Sequence, residues 1–201
     1  MSKLKLSFVA VFVFAAIFSN AQALKPGDKA PDFSLKNVDG KMVSLADFKD
    51  AKGFIIVFTC NSCPYSIAYE DRIIALDAMY KSKGFPVVAI NPNDPALQSK
   101  DSYEAMVVRA GEKKFTFPYL FDNGQKVYPQ YGATRTPNIF IVQKVKDELI
   151  VQYVGAIDNN YKDAADATEK YVEDAVESLL KKKDVKVPVT VAVGCGIKVQ
   201  K

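Results

Sequence analysis

Two continuous apolar runs, residues 54–58 and 85–90, stand out along the chain, both rich in β-branched residues. Their length and composition predict strands buried on both faces. Between them, over residues 64–80, apolar positions recur at helical spacing as Ile67, Ile74 and Ala78, and Pro64 suits a first helical turn. Earlier, residues 33–35 and 42–45 flank Asp39-Gly40, a turn signal, and predict a β-hairpin. Residues 102–113 predict a helix with Asp101 or Ser102 as N-cap, and residues 127–131 one short helical turn. Residues 138–142 and 149–154 predict an antiparallel pair across a turn near Lys146-Asp147. The most strongly patterned helix is predicted over 164–182, with Thr168, Tyr171, Val172, Ala175, Val176 and Leu179 on one stripe. After it Val185, Val187, Val189, Val191 and Val193 alternate around Pro188, which predicts an extended edge segment laid over the domain.

The predicted order is β-hairpin, β, α, β, α, β, β, α. A βαβ half followed by a ββα half is the thioredoxin arrangement, an α/β fold with a central mixed sheet and helices on both faces. The hairpin is added at the N-terminal side and the extended tail at the C-terminal side. The expected division is a signal peptide over 1–23, one domain over 24–183 and a tail over 184–201.

The leader reading rests on Lys3 and Lys5, an apolar run over 6–18 broken only by Ser7, and Ala21-Gln22-Ala23. The run is too short to cross a hydrocarbon core of ~30 Å. Cleavage is therefore expected to leave an exported protein, periplasmic or secreted, with no membrane attachment. Lys3 and Lys5 are the leader's only charges, so 25 basic and 23 acidic residues remain beyond it. That near-balance, evenly spread, argues against a nucleic-acid partner. The run Lys181-Lys182-Lys183 suits a helix C-terminus, where cations meet the dipole.

The chain has no histidine and three cysteines, Cys60, Cys63 and Cys195. Without histidine, Cys–His proteases, Ser–His hydrolases and His-ligated metals are excluded. Cys60-Asn61-Ser62-Cys63 has no second pair to complete a zinc site. As a purely structural disulfide it would constrain little of the unfolded chain. Its place between a buried strand and a helix start suits redox chemistry, since unpaired N–H groups and the dipole there stabilise a thiolate. Cys60 is expected to attack and Cys63 to resolve the mixed disulfide. No metal and no cofactor is called for.

A second element lies 74 residues past Cys63, where Thr134-Arg135-Thr136-Pro137 opens a predicted strand. A cis bond before Pro137 would turn the Thr136 backbone toward the sulfurs and give an incoming peptide something to pair with; an ordinary trans proline opening a strand is the alternative. Arg135, two residues earlier, is expected to lower the Cys60 pKa.

Gly27-Asp28-Lys29-Ala30-Pro31-Asp32-Phe33, the Cys60–Cys63 pair and Thr136-Pro137 resemble the redoxin family, the alkyl-hydroperoxide-reductase/thiol-specific-antioxidant class of thioredoxin-fold proteins. Cys60-Asn61-Ser62-Cys63-Pro64, Tyr69-Glu70-Asp71-Arg72 and Ala89-Ile90-Asn91-Pro92-Asn93-Asp94 are similar to a thioredoxin-like subgroup of it. The likeness runs from about Gly27 to Gly194-Cys195-Gly196-Ile197-Lys198. It implies a cis Pro137 and a nucleophilic Cys60. The chain departs from the pattern in four ways. Thr59 stands where thioredoxin carries Trp, and residues 54–58 hold no buried acid, so a proton for Cys63 must come from water or another group. Val57, three residues before Cys60, replaces the Thr of a peroxidase pocket. Arg135 replaces a Cys found in many subgroup members, which argues against a third thiol beside the proline.

The leading expectation is an exported thiol–disulfide oxidoreductase acting on disulfide-bearing client proteins or small thiols, with a thiol electron donor. The alternatives are a peroxidase-like antioxidant acting on peroxides and a redox-inert binding module on the same fold. Copper delivery is disfavoured for want of a His ligand. For Cys195, flanked by Gly194 and Gly196, two readings compete: an auxiliary resolving thiol brought to the pair by the tail, or a small buried hydrophobe under it. The second is preferred, because Cys63 already resolves Cys60.

Overall fold

The computed structural model describes residues 23–199. The leader expected over 1–23 lies, but for Ala23, outside the described residues. The elements in chain order are β1 (Ser34–Asn37), β2 (Met42–Ser44), β3 (Gly53–Phe58), α1 (Pro64–Tyr80), β4 (Val87–Asn91), α2 (Tyr103–Lys113) and β5 (Tyr119–Phe121). They continue with α3 (Tyr128–Tyr131), β6 (Arg135–Thr136), β7 (Asn138–Val145), β8 (Glu148–Gly155), α4 (Tyr171–Leu180) and β9 (Cys195–Gly196). Seven strands form one mixed sheet in the order β2-β1-β5-β4-β3-β7-β8. Strands β3, β4 and β5 run parallel at its centre, and the remaining pairings are antiparallel.

Side chains of β3 alternate between two cores. Ile55 and Val57 join Val87, Ala89, Ile139 and Ile141 against α1, α2 and α4. Phe54, Ile56 and Phe58 join Val88, Ile90, Phe140 and Val142 against the N-terminal segment and α3. All six residues of β3 are buried, which accounts for the unbroken apolar run. The three longer helices therefore share one face, and short α3 with Phe33, Leu35 and Leu45 covers the other.

The hairpin forms as expected, with Leu35 opposite Val43 and Gly40 in the left-handed region at the turn. Helix α1 has the expected limits but turns a different face inward. Ile67 and Ala78 are exposed, while Ser66, Tyr69, Glu70, Ile73, Leu76, Asp77 and Tyr80 are buried. The apolar period is masked because two buried positions are carboxylates with partners. Glu70 takes both arms of Arg109, at 2.7 and 2.6 Å, and Asp77 accepts from Val87 N and Thr116 Oγ1.

Helix α4 is shorter than its pattern, starting at Tyr171 instead of residue 164. The Asn159 side chain captures the backbone N–H groups of Thr168 and Glu169, holding the preceding turn open. The tail is extended, but it ties to the sheet through a single bridge, Val154 to Val189. Val187, Val189, Val191 and Val193 face solvent, and the residue between them, Thr190, bonds Tyr153 Oη and Ala156 N.

Candidate active site

Strand β3 ends at Phe58, and Thr59 to Cys63 form a tight loop leading into α1. Cys63, not Cys60, occupies the N-cap of α1. The sequence expectation placed the first cysteine there; the helix starts one residue after the second, because Pro64 takes its first turn. Across the loop, the Thr136–Pro137 peptide bond is cis. Both sulfurs meet Thr136: Cys60 Sγ lies 3.1 Å from its Oγ1, and Cys63 Sγ donates to its carbonyl at 3.1 Å. Both cysteines are reduced and only 2% exposed.

The loop is shaped from behind by Asp101, fully buried just ahead of α2. Its carboxylate accepts from Asn61 N at 2.7 Å, Ser62 Oγ at 2.6 Å and Asn93 Nδ2 at 2.7 Å. Asn91, at the end of β4, reaches it at 3.4 Å, and Tyr119 Oη donates to Asn61 Oδ1. Ser102 takes the N-cap of α2 and accepts from Ala105 N, which leaves Asp101 free for the loop. Sequence reasoning treated Asp101 only as a helix cap and missed its role here, as it missed Ser62, Asn91 and Tyr119. The one legible signal was a run of polar residues, Asn91 to Asp94, directly after a buried strand. Two buried carboxylates lie near the pair on other elements, Asp101 behind the loop and Glu70 beside a small cleft lined by Cys60, Asn61 and Tyr119.

The two thiols titrate in opposite directions. The hydrogen bond from the Cys60 thiol holds the Cys63 pKa down to about 4, assisted by the Cys195 side chain and the backbone N–H groups of Ser66 and Cys195. Cys60 moves up, because its hydrogen bond to Cys63 favours the protonated form, with burial and the Asp101 charge adding to it. The pair thus holds one proton between two sulfurs, and Cys60 and Cys63 share one charge.

The tail brings the third thiol to the same place. Strand β9 pairs antiparallel with β6, setting Cys195 opposite Thr136 and Gly196 opposite Arg135. Cys195 is partly exposed, and its side chain acts directly on the Cys63 sulfur. Cys195 is thus less buried than the preferred reading expected, and the tail, not position 135, places a thiol beside Pro137. Cys195 has its pKa pushed up to about 11 by burial and by Cys63. Arg135 is exposed, and its guanidinium donates to Gly194 O at 3.0 Å. It is tied to the tail, and among the described residues no hydrogen bond from it reaches the Cys60 sulfur.

A model of the AhpC/TSA family matches residues 26–154. The chain is 26% identical over 146 residues to thiol-disulfide oxidoreductase ResA of Bacillus anthracis, covering 71% of this chain and 78% of that protein. It is similar to the crystal structure of hypothetical protein SMc02350 from Sinorhizobium meliloti 1021, with a TM-score of 0.81 and 30% identity over 89% of this chain and 97% of that one. The fold is shared with a putative thiol:disulfide interchange protein DsbE from Chlorobium tepidum, with a TM-score of 0.60 and 24% identity over 79% of this chain and 99% of that one.

Proposed function

We propose that this chain, which belongs to the AhpC/TSA family and is a thiol–disulfide oxidoreductase, exchanges disulfides at Cys60–Cys63, with protein disulfides as its clients outside the cytoplasm. One observation carries the reading: two cysteine sulfurs at the start of α1 converge on Thr136, one of them with a strongly lowered pKa. A thiolate at neutral pH is the attacking species in such exchange, and a protonated neighbour three residues away resolves the mixed disulfide. In this reading Cys60 and Cys63 share one charge, and trapping of mixed disulfides assigns the attacking sulfur, Cys60 by the sequence expectation. Thr136 positions both sulfurs, and Asp101 holds the loop between them. Export rests on the leader pattern alone. Among the described residues no helix is long and apolar enough to cross a membrane.

Insulin turbidity in the presence of a dithiol donor tests the activity. The wild-type chain should accelerate precipitation, and loss of either Cys60 or Cys63 should abolish it. The Cys63→Ser variant should accumulate mixed disulfides with clients, as attack by Cys60 requires, and Cys60→Ser should not; the reverse would assign the attack to Cys63, and equal trapping by both would sink a fixed order. Peroxide consumption without insulin reduction would move the assignment to a peroxidase. Equilibration with glutathione then sets the direction of flow: a potential near about −270 mV favours reduction of clients and one near about −120 mV their oxidation.

A further inference from the structure

Three cysteines converge on Thr136: Cys60 Sγ lies 3.1 Å from its Oγ1, Cys63 Sγ lies 3.1 Å from its carbonyl oxygen, and Cys195 stands opposite it across β6 and β9, where it acts on Cys63. The tail that carries Cys195 is fastened on both sides of it. Ahead of it, Arg135 holds Gly194 O; after it, Ile197 N donates to Thr134 O, Lys198 N to Asn93 Oδ1, and Asp94 N to Lys198 O. Gly194 lies so close to the site that a Cβ there would sit 2.2 Å from Thr136 O and 3.1 Å from Pro137 N. Only glycine permits that approach.

Strand β9 runs along β6, so the backbone edge of Arg135–Thr136, open to an incoming peptide in the sequence reading, is filled by this chain's own tail. We infer that the tail is an internal client: Cys195 is a third catalytic cysteine, which exchanges with the Cys60–Cys63 disulfide to form a Cys63–Cys195 bond. This rests on thiol exchange at Cys60–Cys63.

The step balances within the chain. The Cys195 thiolate attacks Cys63 Sγ, and the Cys63–Cys195 bond forms as the Cys60–Cys63 bond breaks. The electron pair of the broken bond stays on Cys60 Sγ, which takes up the proton Cys195 released. One disulfide and one thiol enter and leave, so no further oxidant is needed beyond the client disulfide that oxidised the pair. Because Cys60 and Cys63 are buried and Cys195 is partly exposed, the exchange shifts one end of the disulfide from buried Cys60 to the partly exposed Cys195.

The test is mass spectrometry of diamide-oxidised protein, digested without reduction. Cys60→Ser should give a peptide linking Cys63 to Cys195, with a yield independent of protein concentration. Cys63→Ser should leave Cys60 and Cys195 both alkylatable, since Cys63 is the sulfur with which Cys195 exchanges. Adding Gly194→Ala to Cys60→Ser should lift the tail and cut the linked yield by roughly tenfold as effective concentration falls. If that double variant does not fold by circular dichroism, Arg135→Ala in the same background should slow linkage instead. Alkylatable Cys63 and Cys195 in oxidised Cys60→Ser, linkage only between molecules, or a yield indifferent to both tail substitutions would overturn the inference. Failure of the underlying exchange reads out separately: Cys195→Ser would then lack a Cys60–Cys63 disulfide, whatever the tail does.

Discussion

Asp101→Asn is the sharpest test of how the site is held. The side chain keeps its shape but loses its charge and half its capacity to accept. All four groups facing Asp101, at 2.6 to 3.4 Å, approach as donors. An amide oxygen can take the place of one carboxylate oxygen only, so the NH2 group must face either Asn61 N–H or Asn93 Nδ2. A hydrogen bond to a charged group contributes about 1.5–3 kcal/mol. Losing one such bond, against some relief from burying no charge, should cost about 2 kcal/mol. For a domain of this size that lowers Tm by about 4–8 °C. The charge has a second effect with its own sign. Asp101 raises the Cys60 pKa, so removing it stabilises the ionised, reduced pair and makes the couple more oxidising. Thermal denaturation followed by circular dichroism reads the first effect, and equilibration with glutathione reads the second. A Tm within 1–2 °C of wild type, at roughly 0.5 kcal/mol or less, together with an unchanged or lower potential, would refute the claim that Asp101 organises this loop.

Three further outcomes rest on the same structure. The reduced protein should gain stability over its Cys60–Cys63 disulfide form as pH rises from about 4, the folded Cys63 value, toward its ordinary value of 9.0; a depressed acid contributes fully above its unfolded pKa. Above that value the advantage should shrink, because Cys60 is shifted up and the native state then holds a proton the unfolded chain has released. Urea midpoints of the two forms across pH check both limbs, and a flat difference would contradict the opposed shifts. Arg72→Ala should cost about 3–5 kcal/mol, since Arg72 pairs with buried Asp158 and also holds the carbonyls of Asn160 and Tyr161; urea denaturation measures it, and a loss below about 1 kcal/mol would count against it. Gly53→Ala should destabilise by about 1–3 kcal/mol or more, its Cβ meeting Val142 O at 2.3 Å, whereas Gly111→Ala in open space on α2 should stabilise by up to about 1 kcal/mol. Equal effects of the two in thermal melts would undo the packing argument.

The sequence by itself determined six of the seven strands of the sheet and the candidate cysteine pair, but not β5, the three-residue strand that joins β1 to β4. Strands such as β3 and β4 are buried on both faces, so their apolar runs are unbroken and their limits legible. The Cys60–Cys63 spacing and the Thr136-Pro137 dipeptide were legible because each is a local pattern. Tertiary structure decided whatever depended on partners distant in the chain. Glu70 and Asp77 are buried on α1 because Arg109 and Thr116 satisfy them, so a period counted on apolar residues pointed to the wrong face. Asn159 took backbone donors that the 164–182 pattern had assigned to a helix. The Cys63 pKa is lowered because Cys60 and Cys195, far apart in the chain from one another, both act on its sulfur. Cys195 itself, 132 residues beyond Cys63, carries no local mark of where the tail will lie. Its place was set by β9 pairing with β6, and that pairing depends on backbone groups whose positions exist only once the sheet has formed.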